Sequence, residues 1–228
     1  MFKNEDFNLQ LASVIKWNAV GNNFQQRFTI DDINRQGAYA EEELYEAISG
    51  ISSNDKLEMI DGVADSFVTV GYKFFMTTGD REFHDPNGVN SFIDVDCTPS
   101  YAKWAIVSDL SALVGLNINE PCPIEAHTSA SILFDVISNV QIAFDIDMAE
   151  VIAEVMESNW SKFPIYNPGA DDYEAECRWI EQYRKKENVA FKVVNTGDEV
   201  RVVFRDDNGA GKICKPQSFK EPNLLRFL

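Results

Sequence analysis

The chain has 228 residues, of which 45% are hydrophobic and 16 are phenylalanine, so a sizeable core is expected and general disorder is not. The formal net charge is −17 and no patch of Lys and Arg stands out, which argues against nucleic acid as a partner. The sequence has no long apolar run that would predict a membrane partner and no basic leader that would predict a signal peptide. Its four scattered cysteines, Cys97, Cys122, Cys177 and Cys214, indicate free thiols in a reducing cytoplasm.

The first three predicted elements are helices. Apolar side chains recur at three- and four-residue steps over residues 8–20 and again over about 39–51. The next segment is the most periodic in the protein, and Asn54 or Asp55 is positioned to cap its start. Its apolar stripe runs unbroken at helical spacing through Leu57, Ile60, Ala64, Phe67, Gly71 and Phe74. Because the connection between the second and third helices is short, they are predicted to pack antiparallel.

The middle of the chain interrupts this helical pattern once. Residues 78–100 carry turn residues without a clear period and predict a loop or an insertion. Helical periodicity then returns three times, near 101–115, 124–143 and 147–158. The segment FPIYNPGADD that follows, residues 163–172, has the composition of a linker.

The C-terminal part is different in kind. A short polar helix is predicted over about 172–187. The β-rich runs VAFKVV and EVRVVF then flank NTGD, a pattern typical of a hairpin. We therefore predict an all-α antiparallel helical bundle over residues 1–165 and a second domain over 166–228, which carries the C-terminal helix, a small β-hairpin and an irregular tail.

Acidic side chains border the apolar stripes of the second and third helices. Glu43 and Glu46 are three residues apart, as are Glu58 and Asp61, and Asp65 continues the second row. On an antiparallel pair the two rows would face each other. Converging carboxylates repel and raise each other's pKa, unless a hard divalent cation such as Mg²⁺ or Mn²⁺ binds between them. On spacing alone, a metal site and a solvated acidic face both remain open.

Four separated segments carry a family resemblance. EELYE and EMID, residues 42–46 and 58–61, resemble the EExxE and ExxD signature of the all-α nucleoside triphosphate pyrophosphohydrolases, which include MazG, the dimeric dUTPases and phosphoribosyl-ATP pyrophosphohydrolase. DGVADSFVTVGY, EVMESNWSKF and GKICKPQSFKEPNL are similar to later stretches of the phosphoribosyl-ATP-pyrophosphohydrolase-like branch, common in phages and bacteria. The matches span roughly residues 39–224. They leave 78–120 unmatched as a predicted insertion, and the gap between Glu46 and Glu58 is at the short end for the family.

The resemblance implies a MazG-like bundle that hydrolyses a nucleoside triphosphate to the monophosphate and diphosphate with Mg²⁺, or Mn²⁺ in its place. It makes Glu43, Glu46, Glu58 and Asp61 the expected metal ligands. Asp65 is implied as a further metal ligand, or as a residue that contacts one of the metal ligands. Glu42 is the candidate to orient or deprotonate the attacking water.

The resemblance also implies residues on the substrate side. Asn159 and Lys162 are the expected phosphate contacts, with Lys215 in the tail as a weaker candidate. Trp17 and Asn18 are candidates to contact the base, although a tryptophan at such a position is more often part of the core. A homodimer or homotetramer is implied by the family alone.

Three other functions remain open. One is hydrolysis of phosphoribosyl-ATP or of an alarmone nucleotide. Another is a nucleotide- or metal-binding protein without turnover, although that loss would be expected to remove an acid from the motif, and all of them are present. The third is an acidic interaction protein that mimics DNA, which would be expected to spread its charge over the surface and not beside apolar stripes.

Overall fold

The computed structural model describes residues 2–22, 25, 27–84, 99–118, 121–169 and 172–228. These residues are mostly helical, with a small antiparallel sheet, which confirms the prediction of helices followed by a β-hairpin. The α-helices are α1 (Asn4–Gly21), α2 (Ile30–Ser53), α3 (Lys56–Thr78), α4 (Pro99–Ile118), α5 (Pro123–Phe144), α6 (Met148–Ser161) and α7 (Tyr173–Arg184). The strands are β1 (Ala190–Asn195) and β2 (Val200–Arg205).

The chain divides into two compact units. The first comprises residues 1–15, 26–155 and 223–228, and the second comprises residues 16–25 and 156–222. The predicted boundary after residue 165 therefore lies inside the second unit. The segment predicted as a linker belongs to that unit's packing, because Phe163 is fully buried and the carbonyl of Pro164 accepts a hydrogen bond from the Val202 amide at 2.9 Å.

Helices α2 and α3 form a tight antiparallel hairpin in the first unit. A capping box starts α2, in which Thr29 Oγ1 accepts from the Asp32 amide at 3.1 Å and the Asp32 carboxylate accepts from the Thr29 amide at 3.0 Å. The helix consequently begins nine residues before the periodic segment that predicted it. Asn54 ends α2 in the left-handed conformation, and Asp55 caps α3 by accepting from two backbone amides.

The apolar stripe of α3 is the centre of the first unit's core. Five of its six predicted members are buried: Ile60, Ala64, Phe67, Gly71 and Phe74. Leu57 is the exception, with 37% of its surface exposed, because it lies in the first turn. The rings of Phe67 and Phe83 both contact Phe7, at centroid distances of 5.0 and 4.9 Å, and fix α1 and the segment after α3 to this core.

The segment predicted as a loop or insertion is described in part. Residues 79–84 have no regular structure, residues 85–98 lie outside the described ranges, and α4 begins at Pro99. The three helices predicted after it are confirmed as α4, α5 and α6. No single helix in the described ranges is long and apolar enough to cross a membrane, although α5 and α6 reach that length and composition as a bent pair.

The second unit is built on the hairpin of β1 and β2. Ala190 pairs with Arg205 and Asn195 with Val200 in an antiparallel register. A small core covers one face and consists of Cys177, Ile180, Val202, Phe204 and Cys214. Burial raises the pKa of both thiols in this core to about 11, and both are free, as is Cys122. Cys97 lies outside the described residues.

Candidate carboxylate site on helices α2 and α3

Two glycines determine how closely α2 and α3 approach. A Cβ atom placed on Gly62 would lie 2.5 Å from the backbone nitrogen of Ala47, and one on Gly50 would lie 2.4 Å from that of Met59. Real Cβ atoms do not come this close to backbone, so the two helices are in direct contact through their main chains. Side chains that flank this seam are therefore brought together from both helices.

Glu43 lies at the middle of the resulting group of acids. Its side chain is half-buried, and burial is the largest cause that raises its pKa from 4.5 to about 8. The negative charges of Asp65, Glu46, Glu42 and Asp61 add to the increase, in that order. Three of these five acids come from α2 and two from α3, so charges from both helices act on Glu43. The convergence of Glu43, Glu46, Glu58, Asp61 and Asp65 on a metal ion stays a prediction.

The acids differ in their exposure. Asp61 and Asp65 are half-buried, whereas Glu42, Glu46 and Glu58 are exposed. Glu58 is not among the residues whose charge acts on Glu43, and its backbone amide donates to the Asp55 cap at 3.1 Å. It lies in the first turn of α3, beside the turn that joins the helices. Its role as a ligand stays a prediction.

The donor set suits Mg²⁺ or Mn²⁺ in its chemistry, because hard divalent cations prefer carboxylate oxygens and retain several waters. Within the described ranges, no three His, Cys, Asp or Glu side chains already stand in an arrangement that holds a metal ion. The pKa of Glu43 is raised because its side chain is partly withdrawn from water and lies near carboxylates of like charge. A cation bound among these acids would lessen both effects.

The residues expected on the substrate side belong to the second unit, and three of them are in contact. Trp17 Nε1 donates to the carbonyl of Asn159 at 2.8 Å, and Lys162 Nζ donates to Asn159 Oδ1 at 2.6 Å. The indole of Trp17 stacks on Phe163 with centroids 5.2 Å apart. Trp17 and Asn18 are both buried, at 8% exposure. Trp17 is therefore part of the core, which was the alternative to base contact.

Lys215 is held near Lys162 by the tail. Its ammonium lies 4.4 Å from the ring centroid of Phe219, and that of Lys162 lies 5.7 Å from the same ring. Ser158 Oγ donates to the carbonyl of Lys220 at 2.8 Å and keeps this part of the tail against α6. Lys215 also pairs with Glu221 at 3.3 Å. Contact of either lysine with phosphate stays a prediction.

Sequence reasoning did not anticipate the importance of Gly50 and Gly62. The available signal was a glycine on the inner face of each helix beside the acidic row, since glycine within a helix costs stability and needs a packing reason.

Comparisons of the chain with protein-family models, with curated proteins and with solved structures found no match. The relation to nucleoside triphosphate pyrophosphohydrolases is therefore an interpretation of the motifs and of the carboxylate site.

Proposed function

We propose that the protein is a Mg²⁺-dependent nucleoside triphosphate pyrophosphohydrolase of the MazG-like kind, which converts a (d)NTP and water to the (d)NMP and diphosphate. The observation that carries the proposal is the half-buried Glu43 among four further acids from two directly contacting helices. A merely solvated acidic face would leave these carboxylates in water and would not raise the pKa of one of them to about 8. A homodimer or homotetramer in the cytoplasm is part of the same proposal and derives from the resemblance.

Each acid has a role that follows from its position. Glu43, Asp61 and Asp65 are half-buried and are suited to hold a cation, and Glu46 and Glu58 would complete its ligands from the exposed side. When bound, the cation would neutralise triphosphate charge and lower the pKa of a coordinated water. Glu42 is exposed beside the group, where it can orient the attacking water and accept its proton.

The proposed reaction is one displacement at the α-phosphorus. The oxygen of water forms a bond to that phosphorus, the bond to the oxygen bridging the α- and β-phosphates breaks, and diphosphate leaves with the electron pair. The water proton passes to the Glu42 carboxylate. Without a counter-cation, the triphosphate would be repelled by the ionised carboxylates of this group, which is why the proposal requires a divalent ion.

The deciding experiment incubates the full chain with Mg²⁺ and each of the eight common nucleoside triphosphates, and detects monophosphate and diphosphate. Glu46→Gln and Asp61→Asn are expected to abolish diphosphate release, a loss of at least about 100-fold, because each removes a ligand charge. Far-UV circular dichroism should be unchanged in both variants.

Glu41→Gln is the matched control, since Glu41 lies on the same helix but does not act on Glu43. It should keep its activity. Full turnover in both Glu46→Gln and Asp61→Asn would refute the metal-site assignment. If the wild-type chain cleaves no nucleotide but binds one in the presence of Mg²⁺, the non-catalytic binding protein becomes the better description.

A further inference from the structure

Helix α4 is covered on one side only, although its composition is that of a buried helix. It has just two charged residues, Lys103 and Asp109, and its apolar residues are spread around the whole helix. A helix that is apolar all round is usually buried on every side. In the first unit, α2 and α5 pack against the side on which Ile106, Leu110 and Leu113 are fully buried. The opposite side is exposed.

The exposed face of α4 begins with two aromatic rings and ends with small residues. Its members are all exposed and lie within about 60° of Ser108 around the helix axis: Tyr101, Trp104, Ser108, Ser111, Ala112 and Gly115. Tyr101 and Trp104 are 52% and 66% exposed, and their ring centroids are 6.0 Å apart. A Cβ atom on Gly115 would meet nothing within 4 Å, so the end with small residues is open.

The two charged residues of α4 lie outside this face. Lys103 Nζ donates to Asn54 Oδ1 at 2.9 Å and lies 5.6 Å from the ring centroid of Phe144, so it is directed towards the last residues of α2 and α5. Asp109 is half-buried and lies about 100° around the helix from Ser108. Because the whole chain has a net charge of −17, an uncharged face is where a second acidic copy meets the least repulsion.

We propose that the exposed face of α4 is a homodimer interface, in which the α4 helices of two copies pair antiparallel about a two-fold axis at Ser108. Such an axis places residues that are equally far from Ser108 opposite each other. Trp104 of one copy then meets Ala112 of the other, each four residues from the axis. Tyr101 likewise meets Gly115, each seven residues from it. Large side chains meet small ones at both ends, so the face is complementary to itself.

The chemistry of the face favours a second copy over a membrane surface. Aromatic rings that bind a membrane usually have Lys or Arg beside them, and none of the six residues of this face is basic. Aromatic side chains are also enriched in the centres of protein interfaces. The face is about 21 Å long, at 1.5 Å per residue. This length is small for an interface, so a Kd on the order of 10 µM is expected.

The interface goes beyond the proposed function and does not depend on it. The family resemblance implies a homo-oligomer but assigns no surface to it. None of the six residues belongs to the carboxylate site, and the measured quantity is the mass of the assembly. A chain that hydrolyses no nucleotide can therefore still confirm or refute this interface.

Sedimentation equilibrium of the full chain, from about 1 to 200 µM, tests the inference, and wild type should dimerise within this range. Ser108→Glu and Ser108→Lys each bring two like charges together at the axis, and each should weaken dimerisation at least about tenfold. An equimolar mixture of the two variants should restore it, because a glutamate then faces a lysine. Trp104→Ser removes the larger ring and should also weaken dimerisation at least about tenfold.

Ala12→Glu is the matched control, since it adds the same charge at an exposed position of α1, and it should dimerise like wild type. All the substituted positions are exposed, so far-UV circular dichroism should be unchanged. A tetramer that Ser108→Glu reduces to a dimer would also support the interface. The inference is overturned if wild type stays monomeric, if the Ser108 variants associate as strongly as wild type, or if their mixture associates no better than either alone. Binding of the monomer to phosphatidylcholine vesicles through Trp104 would overturn it in favour of a membrane.

Discussion

The two units hold their buried charge in opposite ways. In the first, Glu43 is half-buried among four groups of the same sign, and its pKa rises to about 8. In the second, Lys162 donates to Asn159 at 2.6 Å and lies 5.5 Å from the ring centroid of Trp17 and 5.7 Å from that of Phe219. The lysine has partners that stabilise its charge, so it can serve the fold without a ligand. The carboxylates instead repel one another, and the proposed metal site rests on the argument that a bound cation would remove this repulsion.

The largest expected effect on stability comes from closing the space between α2 and α3. Gly62→Ala should lower the free energy of unfolding by roughly 1–3 kcal/mol, because the new Cβ would lie 2.5 Å from the backbone of Ala47. Urea unfolding measures this change. Gly115→Ala is the matched helical control, since nothing lies within 4 Å of its Cβ, and it should be neutral or stabilising by up to about 1 kcal/mol. Equal effects of the two substitutions would contradict the direct backbone contact.

A second effect should appear in the pH dependence of the metal-free protein. Glu43 has a folded-state pKa of about 8 against 4.5 for the free side chain, so between these values the folded chain holds a proton that the unfolded chain has released. The contribution of Glu43 is therefore fully present below pH 4.5 and is lost as pH rises towards 8. Wild type should lose stability relative to Glu43→Gln across this window, as measured by urea unfolding at several pH values.

The stability of the protein should also respond to Mg²⁺ in a pH-dependent way. It should raise the melting temperature of wild type more at pH 8 than at pH 5, because protons compete for the carboxylates at the lower pH. The gain should be smaller in Glu43→Gln. A melting temperature that is insensitive to Mg²⁺ at both pH values would contradict the proposed metal site and indicate that the acids are ordinary surface charges.

The smallest effect is expected in the second unit. Phe219→Leu removes the ring that lies near the ammonium groups of Lys162 and Lys215, and should cost about 1 kcal/mol. Unlike the Glu43 effect, this loss should be the same from pH 5 to pH 8 and with or without Mg²⁺, because the substitution removes an uncharged ring. If Mg²⁺ reversed the loss of stability in Phe219→Leu, the claim that only the first unit responds to a cation would be contradicted.

Much of the fold was predictable because its signals are local. The apolar period of α3 and the alternation in β1 and β2 identified those elements directly. The start of α2 at Ile30 was missed, since its first turns are polar and the signal there is the capping box of Thr29 and Asp32. The apparent linker after Phe163 was misread, because its Pro and Gly content does not reveal that its backbone pairs with β2.

The site was predictable only in outline. Three-residue spacing showed which acids share a helix face, but it did not show that Glu43, Asp61 and Asp65 are half-buried while Glu42, Glu46 and Glu58 are exposed. These differences depend on the distance between two helices. Likewise, no motif in the sequence marks Lys73, which is only 8% exposed in the folded chain.

By itself, the sequence determined the helical class, the C-terminal hairpin and the gathering of acids on two neighbouring helices, because backbone periodicity and short connections are properties of contiguous residues. The tertiary structure alone decided which carboxylates are half-buried, how closely Gly50 and Gly62 let the helices meet, and that Lys73 is buried. Those properties arise from pairs of groups far apart in the chain, since desolvation and Coulomb interactions depend on distance in space and not on distance in sequence.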